Sequence, residues 1–241
     1  MIYGIRPVIE ALEAGKEIEK IFIGRAARGE LMIALRKMLK DRDILWQEVP
    51  NEKLDKFTRN NHQEVVCFIS PVHYYSLSQM IPSLFEKGLT PLILFLDRIT
   101  DVRNFGAIAR TAECAGVHAI VIPSKGAAQV SADAIRTSAG ALSRIPVCRE
   151  NNVRAALKYV QESGIKIVAA TEKASDYHFQ SDLTGPLAIV MGSEEDGVSD
   201  DIIRSCDELL RIPMLGSVSS LNVSVACGVM IYEAVRQRLQ Q

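Results

Sequence analysis

The sequence predicts an α/β protein in two parts, a small mixed unit followed by a larger one built on a mainly parallel sheet. Three observations carry that expectation. Residues 1–69 alternate between helical spacing and apolar runs of strand length. From residue 92 onward, short and wholly apolar runs alternate with helical patterns, which is how a parallel sheet covered on both faces reads. Between the two, Ser70-Pro71, Pro82, Gly88 and Pro91 punctuate a stretch with weaker patterning. The expected division is therefore a first domain over 1–70, a linker over 71–90 and a second domain over 91–241, with part of Leu77–Lys87 able to form helix.

Within the first part, Pro7–Ala14 is amphipathic and Ile18–Ile23 reads as a strand. Glu30–Lys40 carries Leu31, Ala34, Leu35, Met38 and Leu39 at helical spacing, and Ile44–Val49 and Val65–Ile69 are short apolar runs. In the second part the strand candidates are Leu92–Leu96, Ala119–Ile122, Ile165–Ala169, Leu187–Met191 and Leu209–Ile212. Helical patterns lie near Phe105–Ala115, Val153–Ser163 and Asp200–Cys206, with a last one over Leu221–Leu239. That last helix is apolar on nearly every side through Val235, unlike a surface helix with one stripe. It should lie between its own sheet and another surface, either a second subunit or the interior of a monomer.

Composition narrows the function classes. Of 241 residues, 48% are hydrophobic and 24% charged, which is ordinary for a globular protein. The longest apolar runs fall far short of the roughly 20 residues that a membrane helix needs. The opening Met1-Ile2-Tyr3-Gly4 has no basic segment leading into an apolar one, so the expectation is a cytoplasmic protein without a secretory leader. Five cysteines are scattered with no C-x-x-C pair and no zinc spacing to the four histidines, so no metal is expected. Net charge is −1; residues 1–70 hold 12 Lys+Arg against 11 Asp+Glu. A nucleic-acid face would have to be local, for example Arg25, Arg28, Arg36 and Lys37, unless those charges are only a solvated helix face.

Three segments could carry chemistry. In the first, Leu96 through Ala112, a strand gives way to a polar turn and a helix, with Asn104 expected at the N-cap. Arg110 points away from the apolar face of that helix, and Gly106 one turn earlier leaves space beside its guanidinium. In the second, Ile189 through Ser199, a buried strand enters a loop bounded by Gly192 and Gly197. It lacks the lysine of a P-loop, and its three acids would repel a phosphate. Such a loop suits a cation, a sugar hydroxyl or an arginine, and Asp196-Gly197 equally suits a tight turn. In the third, Ile212 through Ala226, a strand meets a proline, a Gly/Ser-rich loop and the last helix. Small residues there expose backbone groups to a ligand's adenine and ribose edges. None of the three is a Rossmann fingerprint.

Taken together, the segments resemble the three motifs of the SpoU (TrmH) family of the SPOUT superfamily. Asn104–Ala112 meets N-x-G-A-I-x-R-T-A, Gly192–Gly197 meets G-S-E-x-x-G, and Ile212–Ala226 meets I-P-M-x-G-x-x-x-S-L-N-V-S-V-A. Tyr3-Gly4 to Leu12, with His62-Gln63, is similar to that family's L30e-like substrate-binding domain. Within the family the likeness is to the guanosine 2′-O-methyltransferases of 23S ribosomal RNA.

The resemblance implies a C-terminal SPOUT domain with a deep trefoil knot, a homodimer through that domain, and S-adenosylmethionine bound in the knotted loops. It implies donor contacts at Thr171, Gly192, Ile212, Met214 and Leu221, and a catalytic cluster of Asn104, Arg110, Glu194, Ser220 and Asn222. The family proposal makes Arg110 the base that activates the ribose hydroxyl. A guanidinium with a pKa above about 12 is a poor base, and a bidentate clamp on the RNA phosphate is the competing role. Two departures stand out. Asp101-Val102 replaces the family's Asp-Pro, and His62-Gln63-Glu64 replaces His-Gln-Gly. Two rival readings remain at this stage, a tRNA guanosine 2′-O-methyltransferase on the same scaffold and an RNA-binding assembly factor without catalysis.

Overall fold

A computed structural model describes residues 1–240, which divide into two compact units, Met1–His73 and a second beginning at Tyr74. In the first unit, β1 (Ile2–Tyr3), α1 (Ile5–Glu13), β2 (Ile18–Gly24), α2 (Glu30–Asp41), β3 (Trp46–Val49), α3 (Asn51–Asp55) and β4 (Val65–Ile69) follow in order. The sheet runs β1-β4-β2-β3, parallel only between β2 and β3. On one face α1 and α2 bury Val8, Leu12, Leu35 and Leu39 against Ile21 and Ile23. On the other, Phe22, Val49, Leu54 and Val66 form a smaller cluster.

The departure at Glu64 has a clear local structure. Glu64 lies at φ 62, in the left-handed region that favours glycine. Its carboxylate accepts from Asn51 Nδ2 at 3.1 Å, and its N–H donates to His62 Nδ1 at 3.0 Å. With Nδ1 accepting, the His62 proton sits on Nε2, 3.0 Å from Asp55. An acid in place of glycine thus knits this loop to α3.

The second unit contains β5 (Tyr74–Tyr75), α4 (Leu77–Glu86), β6 (Leu92–Leu96), α5 (Val102–Cys114), β7 (Ala119–Pro123) and α6 (Ala132–Thr137). A 3-10 turn over Ala141–Ser143 leads to β8 (Val147–Glu150), α7 (Val153–Glu162), β9 (Lys166–Ala170) and β10 (Asp176–Tyr177). β11 (Leu187–Met191), α8 (Asp200–Ile203), β12 (Glu208–Arg211) and α9 (Val223–Arg238) complete it. Its eight-stranded sheet runs β10-β12-β9-β11-β6-β7-β8-β5, and every neighbouring pair is parallel. Successive side chains alternate faces. Ile93, Phe95, Val121, Ile167 and Val190 meet α4, α7 and α8 on one side, while α5 and α9 pack together on the other.

Of the stretch 71–90, expected as a linker, residues 74–90 belong structurally to the second unit. Tyr74 and Tyr75 pair with Val147 and Cys148, and Leu77 and Ile81 are buried in the sheet's core. The helix allowed for part of Leu77–Lys87 is present over Leu77–Glu86 despite an internal proline. Pro82 cannot donate to the carbonyl of Ser78, but the Tyr159 hydroxyl reaches that oxygen at 3.4 Å. β5, β10 and β8 escaped the sequence pattern because they are short and carry polar residues such as Asp176, Arg149 and Glu150. No helix among the described residues is long and apolar enough to cross a membrane, and among them no cluster of His, Cys, Asp or Glu could hold a metal.

Candidate active site

The site grows out of two adjacent core strands. Leu187–Met191 lies in register beside Leu92–Leu96, so the loops after β6 and β11 leave the sheet side by side. After β6 the chain winds one way through β7 and β8, while β9, β11 and β12 fill the other side. Ligands in open parallel sheets bind at such a reversal, beyond the carboxyl ends of the strands.

Two loops are locked together there. Asp97 N–H donates to Met191 O at 2.8 Å, and the Asp97 carboxylate, almost fully buried, accepts from Ser199 N–H at 2.8 Å. Arg98, held at φ 57, donates to Asp196 at 3.0 Å and to Gly197 O at 3.2 Å. Inside the second loop Ser193 and Gly197 exchange backbone hydrogen bonds of 3.1 and 3.0 Å. Gly192 fits only as glycine, because a Cβ would lie 2.0 Å from Gly197 C and 2.1 Å from Val198 N. The tight turn expected at Asp196-Gly197 is present, with Gly197 at φ 66.

Two expectations for α5 need correction. The N-cap is Asp101, not Asn104: its carboxylate accepts from Asn104 N–H at 2.8 Å, and the helix begins at Val102. The acid earns the cap because it sits three residues before a free first-turn N–H. Gly106 does not make room beside Arg110. Its missing side chain admits α6, since a Cβ would lie 2.6 Å from Thr137 Cβ and 3.0 Å from Ser138 N.

Asn104, one turn into α5, joins a cluster that spans all three motifs. Asn222 Nδ2 donates to Asn104 Oδ1 at 3.0 Å and to Glu194 at 2.7 Å. Glu194 also accepts from Val223 N–H at 3.3 Å, placing a carboxylate at the positive end of α9. Asn222 Oδ1 caps that helix by accepting from Ser224 N–H at 3.0 Å. A cavity of about 360 Å³ opens among Arg98, Thr100, Asn104, Glu194 and Val223.

Of the expected donor residues, Thr171, Gly192 and Ile212 each follow directly on one of the neighbouring strands β9, β11 and β12. Thr171 is buried and donates its N–H to Leu210 O at 2.9 Å. Met214, Ser220 and Leu221 lie on the exposed loop before α9, where Leu215 is 98% exposed. Arg110 is exposed on α5 and makes no hydrogen bond or ion pair among the described residues. The structure thus joins Asn104, Glu194 and Asn222 directly, lines up Thr171, Gly192 and Ile212 at one sheet edge, and leaves Arg110 and Ser220 outside the bonded cluster. Sequence reasoning passed over Asp97 and Arg98. The available signal was a charged pair directly after a wholly apolar strand.

Comparison with known proteins agrees with this geometry. The model of the SpoU rRNA Methylase family matches residues 91–232, and that of RNA 2′-O ribose methyltransferase substrate binding matches residues 1–75. The chain belongs to the SpoU rRNA methylase family. A relative from Escherichia coli, the 23S rRNA (guanosine-2′-O-)-methyltransferase RlmB, is 38% identical over 99% of this chain and 98% of its own length. Among solved structures, the SpoU methyltransferase AviRb from Streptomyces viridochromogenes, in complex with AdoMet, superposes with a TM-score of 0.63 at 26% identity, covering 100% of this chain and 90% of its own. The A. aeolicus TrmH/SpoU tRNA modifying enzyme, with a TM-score of 0.58 and 30% identity, covers 68% of this chain and 85% of its own. The three segments whose sequences resemble that family's motifs are the ones that meet at the Asn104–Asn222–Glu194 cluster.

Proposed function

We infer that this chain transfers a methyl group from S-adenosylmethionine to the ribose 2′-hydroxyl of a guanosine in 23S ribosomal RNA. The observation that carries the reading is the hydrogen-bonded union of Asn104, Glu194 and Asn222 at the reversal point of a parallel sheet. Likeness along nearly the whole chain to enzymes named for this reaction supports the substrate, whereas the tRNA enzyme matches only part of it. The intact cluster speaks against an RNA-binding factor without catalysis.

The residues present fit the donor. An acidic loop that would repel a phosphate accepts a cationic sulfonium and a ribose diol, and the absence of a side chain at Gly192 lets Gly197 and Val198 close that loop against its start. Thr171, Gly192, Ile212, Met214 and Leu221 would hold it. When bound, it supplies a methyl group on a positively charged sulfur. The donor would give its methyl group to the 2′-oxygen and be left as a neutral thioether, and the hydroxyl proton would pass to water at the open cavity, because Glu194 is engaged and a guanidinium is a poor base. The protein's part is to hold the oxygen in line and at short range. Arg110, exposed and with no hydrogen bond or ion pair among the described residues, serves as a charged clamp on an RNA phosphate; a hydrated guanidinium makes a poor base. Glu194 is already engaged by Asn222 and Val223, so it orients Asn222 and with it Asn104. Ser220 shapes the rim of the pocket.

Three further features belong to the same reading. Past β12 the chain returns from beyond β9 to lay α9 against β11 and α5, a path across the 192–199 loop that is consistent with a trefoil knot. Val225 and Tyr232 on the outer side of α9, about half exposed, offer an apolar face to a second copy, giving a homodimer. Its place would be the cytoplasm, where ribosomal RNA is processed. The test is tritiated methyl transfer to total RNA from cells lacking the gene, followed by nuclease mapping. Label on a guanosine ribose of 23S RNA supports the reading. Label confined to tRNA replaces the substrate, and no label with intact RNA binding restores the non-catalytic alternative.

A further inference from the structure

Outside this site, a second polar cavity lies in the first unit, and it is lined by arginines. It measures about 320 Å³ and is bounded by Arg25, Arg28, Gly29, Ile33, Arg36 and Glu48. Three of the four basic residues that the sequence could only assign to a local patch or a solvated helix therefore converge on one concavity. We propose that this cavity is a binding site for a backbone phosphate of the RNA substrate, so that the first unit grips RNA through Arg25, Arg28 and Arg36. The proposal rests on the reading of the chain as an RNA methyltransferase and adds to it a specific point of attachment.

The loop that carries the arginines is fixed rather than loose. Arg25 N–H donates to Val49 O at 3.0 Å, and Ala27 N–H donates to Gly24 O at 3.0 Å. Arg28 Nη1 donates to the carbonyls of Arg25 and Ala27 at 3.1 and 2.9 Å, which holds the guanidinium in place and keeps its other N–H groups for a ligand. Arg36 donates to Glu48 at 3.0 Å, which holds its guanidinium at the wall of the cavity. Gly29 provides no capping side chain to α2, so the first-turn N–H groups of that twelve-residue helix also face the ligand's side of the balance. Against these stand Glu48, which offsets one positive charge, and Glu30 in the first turn of α2. Three guanidiniums to one lining carboxylate leave the cavity positive, enough for one phosphodiester. A guanidinium's planar fork matches two phosphate oxygens at once, which a lysine cannot do. Ile33, 69% exposed at the rim, gives an apolar wall against which a sugar or base can rest.

The test uses the full chain and a protein-free transcript of 23S ribosomal RNA. RNA affinity is measured by fluorescence anisotropy across a salt series, methyl transfer by tritium incorporation, and donor binding by calorimetry. For Arg25→Gln/Arg28→Gln, KM for RNA should rise about tenfold with kcat and donor affinity unchanged. The slope of log affinity against log salt should also fall by about 0.7–0.9, the loss of one phosphate contact. Arg25→Gln alone, which removes no hydrogen bond within the protein, should give a weaker effect in the same direction. Glu48→Gln should tighten RNA binding, an outcome that a merely structural role for the cavity would not produce. Unchanged KM and salt slope in both arginine variants, or weaker binding in Glu48→Gln, overturns the proposal. If the unaltered chain binds the donor but leaves this RNA unmethylated, the substrate reading fails instead, and the anisotropy comparison still decides the phosphate site.

Discussion

Replacing Gly192 with alanine tests whether the second loop is built as tightly as its geometry says. The added Cβ would fall 2.0, 2.1 and 2.2 Å from three backbone atoms of Gly197 and Val198, none of which can rotate away. Relief requires the far side of the loop to move by more than 1 Å, taking with it the paired hydrogen bonds of Ser193 and Gly197. Overpacking of this kind costs about 1–3 kcal/mol, and two backbone hydrogen bonds add about 2 kcal/mol. The expected destabilisation is therefore roughly 3–5 kcal/mol, or on the order of 10 °C in Tm for a unit of this size. Denaturant titration followed by circular dichroism reads the stability, and calorimetry reads S-adenosylmethionine affinity, which should fall by at least about tenfold as the loop reopens. Gly185→Ala is the control. Nothing lies within 4 Å of its Cβ position and its φ is not positive, so stability should change by no more than about 0.5 kcal/mol. If Gly192→Ala unfolds within that same margin of the parent and binds the donor normally, the account of the loop is wrong.

Other outcomes follow from single residues. Arg110→Ala should reduce methyl transfer by at least about a hundredfold while S-adenosylmethionine binding stays intact; full activity would remove Arg110 from the site. Val102→Pro restores the residue that the family pattern has at this position. Val102 is the first residue of α5, and Asp101 before it is already extended at φ −75, ψ 123. The variant should gain about 0.4–1 kcal/mol in a denaturant titration, and a loss would contradict the assigned helix start. His118 makes the protein acid-sensitive. Burial lowers its pKa, the charge of Arg238 adds to that, and Nδ1 accepts from Leu92 N–H at 3.0 Å only while deprotonated. The unfolded chain then takes up the proton first, so this stability is complete above about pH 6.5 and is lost as pH falls through the lower folded value. Thermal melts from pH 7.5 to 5.5 should show a steeper decline for the parent than for His118→Gln.

Much of the fold was legible because a parallel sheet buried on both faces leaves a mark in every core strand. Leu92–Leu96 and Leu187–Met191 appear in the structure with the same bounds that their apolar runs suggested. What stayed hidden had no such mark. β10 is two residues at the sheet's edge, and β8 ends in Arg149 and Glu150, which a two-sided core strand would not tolerate. α4, which the sequence allowed over part of Leu77–Lys87, carries a proline whose lost hydrogen bond is offset from a different helix, by Tyr159. The candidate site divides in the same way. Asn104, Glu194 and Asn222 could be named from their motifs, but their contact spans 118 residues of sequence from Asn104 to Asn222 and depends on two loops leaving the sheet together.

That contact also explains why an acidic loop sits where a phosphate-binding loop would be expected. At the carboxyl edge of a parallel sheet, a helix N-terminus ordinarily attracts an anion. Here the N-terminus of α9 is already occupied from within, by the Glu194 carboxylate on Val223 N–H and by the Asn222 side chain on Ser224 N–H. The positive end of the helix is thereby spent on fixing Glu194, and Glu194 in turn fixes the amide that reaches Asn104 on α5. Glu195 and Asp196 remain exposed beside it, with Asp196 held by Arg98. The edge of the sheet consequently presents negative charge and backbone groups to whatever binds there. A cation with a sugar attached suits that edge, and a nucleotide triphosphate does not. On the proposed reading, the cationic sulfur would lie at the acidic edge of the second unit, and the polyanion would be met by arginines, Arg110 on α5 and those lining the cavity at Arg25, Arg28 and Arg36.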